Sequence, residues 1–457
     1  MHSSPFQDTI VALATPPGVG AIGVIRVSGQ QTVEIVNSIF KGKNLSEVPS
    51  HTLAYGTIRD GEAILDEVLV SVFRGPNSYT KEDVIEISTH GSPFILQKVI
   101  ELLIEKGART AKPGEFTQRA FINGRFDLAQ AEAVADLISS ENAAMQQTAI
   151  KQMRGGFSHE IKQLRERLVH FASMIELELD FSEEDVEFAN REALERLIAE
   201  IQQTLRPLIE SFKWGNVIKN GVPIVIAGRP NAGKSTLLNA LLNEQRAIVS
   251  DIAGTTRDTI EDQLTIEGIT FRFIDTAGLR ETTDTIEAIG VQRTQEKMKE
   301  ASLILYLIDL KRTDVDLLNE ELAPIIATGV PFVVIGNKQD LLSSDEMADW
   351  QKRHTILPLS ASSQHGVNEL KRELVSRVRE NKVSAGQTIV TNSRHYQGLL
   401  RTNDALEKVK NALSSNVTGD FLALDIREAL FHLGEITGAI TTDDLLENIF
   451  SKFCIGK

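Results

Sequence analysis

The strongest chemical signal in the chain is Gly228-Arg229-Pro230-Asn231-Ala232-Gly233-Lys234-Ser235. It fits the pattern GxxxxGK[ST], in which the backbone N–H groups of a glycine-rich loop turn toward phosphate oxygens. Lys234 adds a point charge for the terminal phosphates, and the Ser235 hydroxyl is suited to ligate Mg2+. The pattern requires a strand before it and a helix after it. Val222–Ala227 is an apolar run and residues 236–242 have helical character, so the sequence meets both conditions.

Three short motifs downstream fit the same chemistry. Asp275-Thr276-Ala277-Gly278 follows the apolar run 271–274. Its Asp can reach Mg2+ through water, and the Gly278 N–H can meet a γ-phosphate. Asn337-Lys338-Gln339-Asp340 follows the run 332–335. A buried Asp340 carboxylate can accept hydrogen bonds from guanine N1–H and the 2-amino group; adenine offers neither donor there. Ser360-Ala361-Ser362 follows the run 356–359 and offers a backbone N–H to guanine O6. Gly254-Thr255-Thr256-Arg257-Asp258 lies between the first two runs and reads as a switch, with Thr256 as a Mg2+ ligand when GTP is bound. Together they predict GTP at the strand edge where open α/β sheets take ligands.

The hydrolytic machinery departs from the Ras pattern. The position after Asp275-Thr276-Ala277-Gly278 holds Leu279, where Ras-like enzymes carry a water-orienting Gln. A monovalent cation against the phosphates can supply the charge of an arginine finger. Asn231 offers it a neutral oxygen, and backbone carbonyls of the switch can complete the shell. Glu287 is a candidate to hold or activate water, and Arg280 competes for charge stabilisation.

A sheet must position these residues. From about residue 221, five short apolar runs (Val222–Ala227, 271–274, 303–308, 332–335 and 356–359) are separated by helical stretches or loops, which predicts a mostly parallel sheet. Residues 1 to about 120 read as strand-rich α/β. Runs at 21–27, 68–73 and 83–88 suggest strands, Asp60-Gly61 a hairpin turn, and Ser92-Pro93 to Gly107 a helix. From about Asp127 to Phe212, and again after about Val383, the pattern is helical. An α/β domain inserted into a helical one is the economical arrangement. Seven acids between Glu176 and Glu187 read as a solvated helix end or loop, with a divalent-metal site as the lesser alternative.

Composition sets the outer limits. The chain has 457 residues, enough for about three domains. Hydrophobic residues are 42% and charged residues 24%, which excludes a largely disordered chain. The net charge of −15 argues against one broad duplex-binding surface. A single cysteine, Cys454, excludes an internal disulfide and a Cys-rich zinc site, and suggests a cytosolic protein. No apolar run approaches the roughly 20 residues of a membrane span, and no secretory signal is expected.

The G motifs, Asn231 and the terminal Cys454-Ile455-Gly456-Lys457 together resemble the MnmE (TrmE) family of tRNA-modifying GTPases. The similarity runs over essentially the whole chain. It includes Ala14-Thr15-Pro16-Pro17-Gly18, Pro113-Gly114-Glu115-Phe116, Asp127-Leu128-Ala129-Gln130-Ala131-Glu132-Ala133 and Thr442-Asp443-Asp444-Leu445-Leu446. The resemblance implies a multidomain α/β and α chain. Its parts are an N-terminal α+β domain like tetrahydrofolate-binding domains (1–122), a helical domain (123–216 and 384–457) and an inserted P-loop Ras-like α/β G domain (217–383).

It also implies a cytoplasmic homodimer, formed through the N-terminal region. With the FAD- and NADH-using partner MnmG (GidA), this makes a heterotetramer that adds an aminomethyl or carboxymethylaminomethyl group at C5 of tRNA wobble uridine 34. A one-carbon tetrahydrofolate (5,10-methylene or 5-formyl) supplies the bridging carbon, and K+ stimulates GTP hydrolysis.

By position, the GTP site comprises Asn231, Ala232, Gly233, Lys234, Ser235 and Thr236; Ser250, Asp251, Ile252, Ala253, Gly254, Thr255 and Thr256; Asp275, Thr276, Ala277 and Gly278; and Asn337, Lys338, Asp340, Ser360 and Ala361. Mg2+ falls on Ser235 and Thr256, and K+ on Asn231, Ser250, Ile252 and Thr255. Glu287 is the acid acting on water. Folate contacts fall on Arg26, Glu86, Arg125 and Lys457, with Arg125 standing where some members have Lys. Cys454 has a nucleophilic or other thiol role and a buried structural role as open readings, at the end of a capped helix within 441–453; a prenylation box does not fit a terminal Lys. A regulatory GTPase of ribosome assembly is the alternative function. In a variant of the main reading, the G domain only gates a folate-dependent transferase.

Overall fold

The computed structural model describes residues 6–180, 191–242, 262–274, 298, 301–314, 316, 318–379, 388–415 and 419–457. The chain forms two compact units, one of residues 1–139, 149–206 and 397–457, the other of 140–148 and 207–396.

The first unit is built on a seven-stranded sheet. Its strands are β1 (Ile10–Leu13), β2 (Ile22–Ser28), β3 (Phe40–Gly42), β4 (Thr52–Asp60), β5 (Ala63–Phe73), β6 (Val84–His90) and β7 (Arg109–Thr110), in the order β3-β4-β5-β6-β2-β1-β7. The alternation of strand side chains explains its two faces. Ile25, Val27, Val70, Val72, Ile85 and Ile87 point to one side. There they bury against Ile35, Val36 and Ile39 of helix α1 (Thr32–Ile39) and Leu96, Val99 and Leu103 of α2 (Pro93–Glu105). The other side carries Arg26 opposite Glu86. Ser92 precedes α2 and Pro93 opens it, as the sequence suggests. Gly61-Glu62 makes the two-residue β4–β5 turn, one residue beyond the expected position.

Helices complete this unit: α3 (Glu115–Ile122), α4 (Leu128–Ile138), part of α5 (Ala143–Met153), α6 (Gly156–Asp180) and part of α7 (Arg191–Asn220), and three more near the C-terminus. Asp127 caps α4 in a reciprocal box with Gln130, and Ser158 holds the same carboxylate at 2.9 Å. The final helix, Asp443–Phe450, is capped by Thr442, as expected. Its Leu446 and Phe450, with Phe453, pack on Leu128 and Ala131.

The second unit holds a six-stranded sheet in the order β13-β12-β11-β8-β10-β9. The strands are β8 (Val222–Ala227), β9 (Asp262–Ile266), β10 (Ile269–Phe273), β11 (Leu303–Asp309), β12 (Phe332–Asn337) and β13 (Leu357–Pro358). All pairs are parallel except β9 with β10. All five predicted strands are present, with ends shifted by up to a few residues. Strand β9 was not predicted: only Leu264 is buried in it, so it has too little apolar character to read as a strand. The sheet is covered on both faces, by Leu237, Leu241, Leu370 and Leu374 on one and by Leu318, Leu322, Ile325 and Trp350 on the other. Among the described residues no helix is long and apolar enough to cross a membrane.

Candidate functional site

The parallel strands β8, β12 and β13 end at one edge of the second sheet, and each ends in a predicted motif. The loop after β8 turns at Asn231, which is left-handed (φ 61°) and exposed, and Lys234 opens the helix Lys234–Leu242. Lys234 Nζ donates to the Gly228 and Arg229 carbonyls at 2.8 and 3.0 Å, which folds the ammonium over its own loop. Burial holds that ammonium below the ordinary lysine value. Ser235 and Thr236 follow in the first turn, where helix N–H groups favour an anion.

Asn337 joins the motifs. It is 3% exposed at the end of β12. Its Nδ2 donates to Ala232 O at 2.8 Å, and its Oδ1 accepts from Ala361 N at 3.0 Å. One amide thus ties the phosphate loop to the Ser360-Ala361 loop. Gly233 is required beneath it: its φ is +101°, and a Cβ would sit 2.3 Å from Asn337 Nδ2. Lys338 Nζ reaches Asn231 O at 3.2 Å and Asp309 Oδ2 at 2.7 Å. Asp340 lies in the 3-10 turn Gln339–Leu341 and is exposed, not buried as the base-selection argument expected. The turn carries it onto the rim of the edge. Arg229 pairs with Glu321 at 2.8 Å, and Glu321 also accepts from Tyr306, whose phenol burial and that carboxylate push up to about 12.

The other predicted residues of this site lie outside the described residues: Ser250, Asp251, Ile252, Ala253, Gly254, Thr255 and Thr256 of the switch, Asp275, Thr276, Ala277 and Gly278, and Glu287 with its competitor Arg280. So do residues 181–187 of the acidic run. Among the described residues no group of three or more His, Cys, Asp or Glu is placed to hold a metal ion.

The first unit brings the four remaining candidates to one place. Arg26 and Glu86 are partners across β2 and β6, and the guanidinium meets the carboxylate at 2.9 Å through Nε and 2.7 Å through Nη2. Arg26 Nη1 also donates to Gly456 O at 3.2 Å. The C-terminus is therefore fixed here. Gly456 has φ +93°, and a Cβ would lie 2.2 Å from Leu13 O, so only glycine lets the chain pass β1 and set Lys457 near Arg26. Burial chiefly, and Arg26 next, hold the Lys457 ammonium below its ordinary value. Arg125 bonds the Ser78 carbonyl. Arg26, Glu86 and Arg125 line one pocket of about 530 Å3.

Sequence reasoning missed other residues of this pocket. Tyr79 carries both guanidinium groups on its ring, Arg26 and Arg125 each 5.2 Å from the centroid. Its hydroxyl meets Thr117 Oγ1 at 2.9 Å, and burial raises its pKa. His51 and Lys81 also line the pocket. No local motif marks these residues.

In the same unit, Arg119 is fully buried among Glu82, Glu115 and Asp8. Cys454 is exposed, so the buried structural reading fails. Its carbonyl accepts from Gly114 N at 3.3 Å, which ties the terminal segment to the start of α3.

Comparison with known proteins covers both units. The family model for the MnmE helical domain matches residues 128–454, and that for the GTP-binding protein TrmE N-terminus matches 9–125. The chain is 61% identical over 450 residues to the tRNA modification GTPase MnmE of Cytophaga hutchinsonii, covering 98% of each chain. The protein of the same name from Flavobacterium johnsoniae is 56% identical, with 99% of each chain covered. That from Christiangramia forsetii is 54% identical, over 99% of this chain and 100% of its own.

Proposed function

The chain belongs to the MnmE family of tRNA modification GTPases, and from that premise we propose that it hydrolyses GTP with K+ and Mg2+ to drive modification of tRNA wobble uridine 34 at C5. The observation that carries the GTP half is the Asn337 strut, which holds a phosphate loop and a base-side loop at one sheet edge. Asp340 on that rim is the acceptor that selects guanine over adenine. In this reading the inserted G domain spans 217–383, with 1–122 as the N-terminal domain and 123–216 and 384–457 as the helical one.

Ser235 is suited to Mg2+, together with Thr256. Asn231 suits K+ because it is exposed at the turn of the loop and carries a neutral amide oxygen. Ser250, Ile252 and Thr255 complete that set, and Glu287 is the acid acting on water. The remaining GTP contacts are the switch and the Asp275 to Gly278 motif.

The pocket of the first unit suits a reduced folate. Arg26, Arg125 and Lys457 match the two carboxylates of a glutamate tail, and Glu86 matches pterin N–H donors. When bound, a one-carbon tetrahydrofolate supplies the carbon that bridges C5 of uridine and the added amine. The residues around it bind and orient: Tyr79 fixes both arginines, and Gly456 brings in the C-terminus. The exposed thiol of Cys454, three residues from Lys457, is placed for a role toward the uracil ring. The chain acts in the cytoplasm as a homodimer, assembled with the FAD-dependent MnmG (GidA) into a heterotetramer on tRNA. The relatives are named for tRNA modification, which favours this over a ribosome-assembly switch.

The test is GTP hydrolysis by the purified chain in KCl and in NaCl. Hydrolysis is expected to be much faster in K+, and Asn231→Ala is expected to remove the difference. Equal rates in the two salts for the unsubstituted chain would overturn the cation mechanism.

A further inference from the structure

The face of the first sheet opposite α1 and α2 carries side chains in successive rows. Pairing sets Leu53, Ser71, Glu86 and Arg26 in one row. Phe73, Val84 and Ser28 form the next row, and His51 stands at its end, with its ring edge-on to Phe73 at 5.4 Å and 89°. His51 therefore shares the face that bears two of the proposed folate contacts, Arg26 and Glu86, and it lines their pocket.

Its conformation is unusual and fixed from three sides. The backbone is left-handed, with φ 62°, which costs a residue with a Cβ free energy that glycine would not lose. The His51 N–H donates to Val72 O at 2.7 Å. Nδ1 lies 2.8 Å from Ser50 Oγ, and the ring stands against Phe73. A turn alone would be served by Gly or Asn, so the imidazole itself calls for an explanation.

Ser50 occupies one ring nitrogen. Its Oγ accepts the Arg74 N–H at 3.0 Å. Its one proton is free to point at His51 Nδ1, and in that arrangement the neutral ring carries its hydrogen on Nε2. Nε2 has no hydrogen-bond partner among the described residues. We infer that His51 is a ligand-contacting residue of this pocket, donating a hydrogen bond from Nε2 to an acceptor oxygen or nitrogen of the bound reduced folate. The inference rests on the folate reading above and adds a donor to a contact set of cations and one carboxylate. It also gives the left-handed turn a purpose, since the turn aims the ring while Ser50 holds Nδ1.

The experiment is calorimetric titration of the full-length chain with 5-formyltetrahydrofolate. It compares the unsubstituted protein with His51→Gly, His51→Gln and Arg26→Ala. His51→Gly relieves the backbone, so its melting temperature should hold or rise while affinity falls about three- to tenfold, the effect of one hydrogen bond. His51→Gln keeps an N–H at the reach of Nε2 and should recover most of that loss. Arg26→Ala should bind far more weakly than either. Unchanged affinity in His51→Gly, beside loss in Arg26→Ala, overturns this inference alone. No binding by the unsubstituted chain overturns the folate reading and the inference with it.

Discussion

Replacing Asn337 by Ala tests whether one side chain holds the nucleotide edge together. The substitution removes both bonds of the strut and leaves Ala232 O and Ala361 N without partners, in residues 2% and 3% exposed. Each stranded buried group costs about 1–3 kcal/mol. Two give about 2–6 kcal/mol, and water entering the gap brings the expected loss to about 2–4 kcal/mol. If the nucleotide must restore the alignment of the two loops, affinity falls by roughly 30-fold to a thousandfold.

Asn337→Asp sharpens the test. It keeps an acceptor for Ala361 N but sets carboxylate oxygen against the Ala232 carbonyl, so it should be at least as damaging. The assay is titration with a fluorescent GDP analogue, alongside thermal melting followed by circular dichroism. If both variants bind within twofold of the unsubstituted chain, the strut does not organise the site and the reasoning is wrong.

Two further outcomes follow from the first unit. Arg119→Leu removes a fully buried guanidinium from between Glu82, Glu115 and Asp8 and should cost about 3–5 kcal/mol in chemical denaturation, as for a broken buried ion pair. Burial raises the Asp8 and Glu115 carboxyls, but hydrogen bonds from Arg109 and Arg119 outweigh it and leave both below their ordinary 3.8 and 4.5. Their stabilisation is therefore complete above those values and lost as pH falls through the lowered ones, so the variant should show a shallower acid limb. A loss under about 1 kcal/mol with an unchanged acid limb would contradict this. Separately, reduced-folate affinity should weaken as pH rises through the depressed Lys457 value, and Lys457→Arg should flatten that profile; matching profiles for the two proteins would refute the contact.

The two sites differ in how far the sequence revealed them, for a physical reason. The phosphate loop and the Asn337 and Ser360 motifs are short segments at strand ends, so their chemistry is written in adjacent residues. The pocket of the first unit is made by pairing. Arg26 and Glu86 are sixty positions apart and become neighbours only through the β2–β6 register. Resemblance could name them, but spacing could not. Tyr79 and His51 carry no motif, and their roles exist only once the sheet is closed.

Several segments that carried the resemblance have structural tasks. Asp127 and Gln130 cap a helix, Glu115 holds two arginines, and Phe116 lies 5.7 Å under Arg26. Strand β9 was hidden because an edge strand with one core residue does not look apolar.

The most direct test of the whole account is nucleoside mass spectrometry of tRNA from cells lacking this gene, complemented with the unsubstituted chain or with Asp340→Asn. Asp340→Asn replaces the carboxylate that would accept from guanine, so it should disable GTP binding while leaving the fold intact. The account predicts that C5-modified wobble uridine disappears in the deletion, returns with the unsubstituted chain and stays absent with Asp340→Asn. Full modification in the deletion strain, or full rescue by the variant, would contradict it.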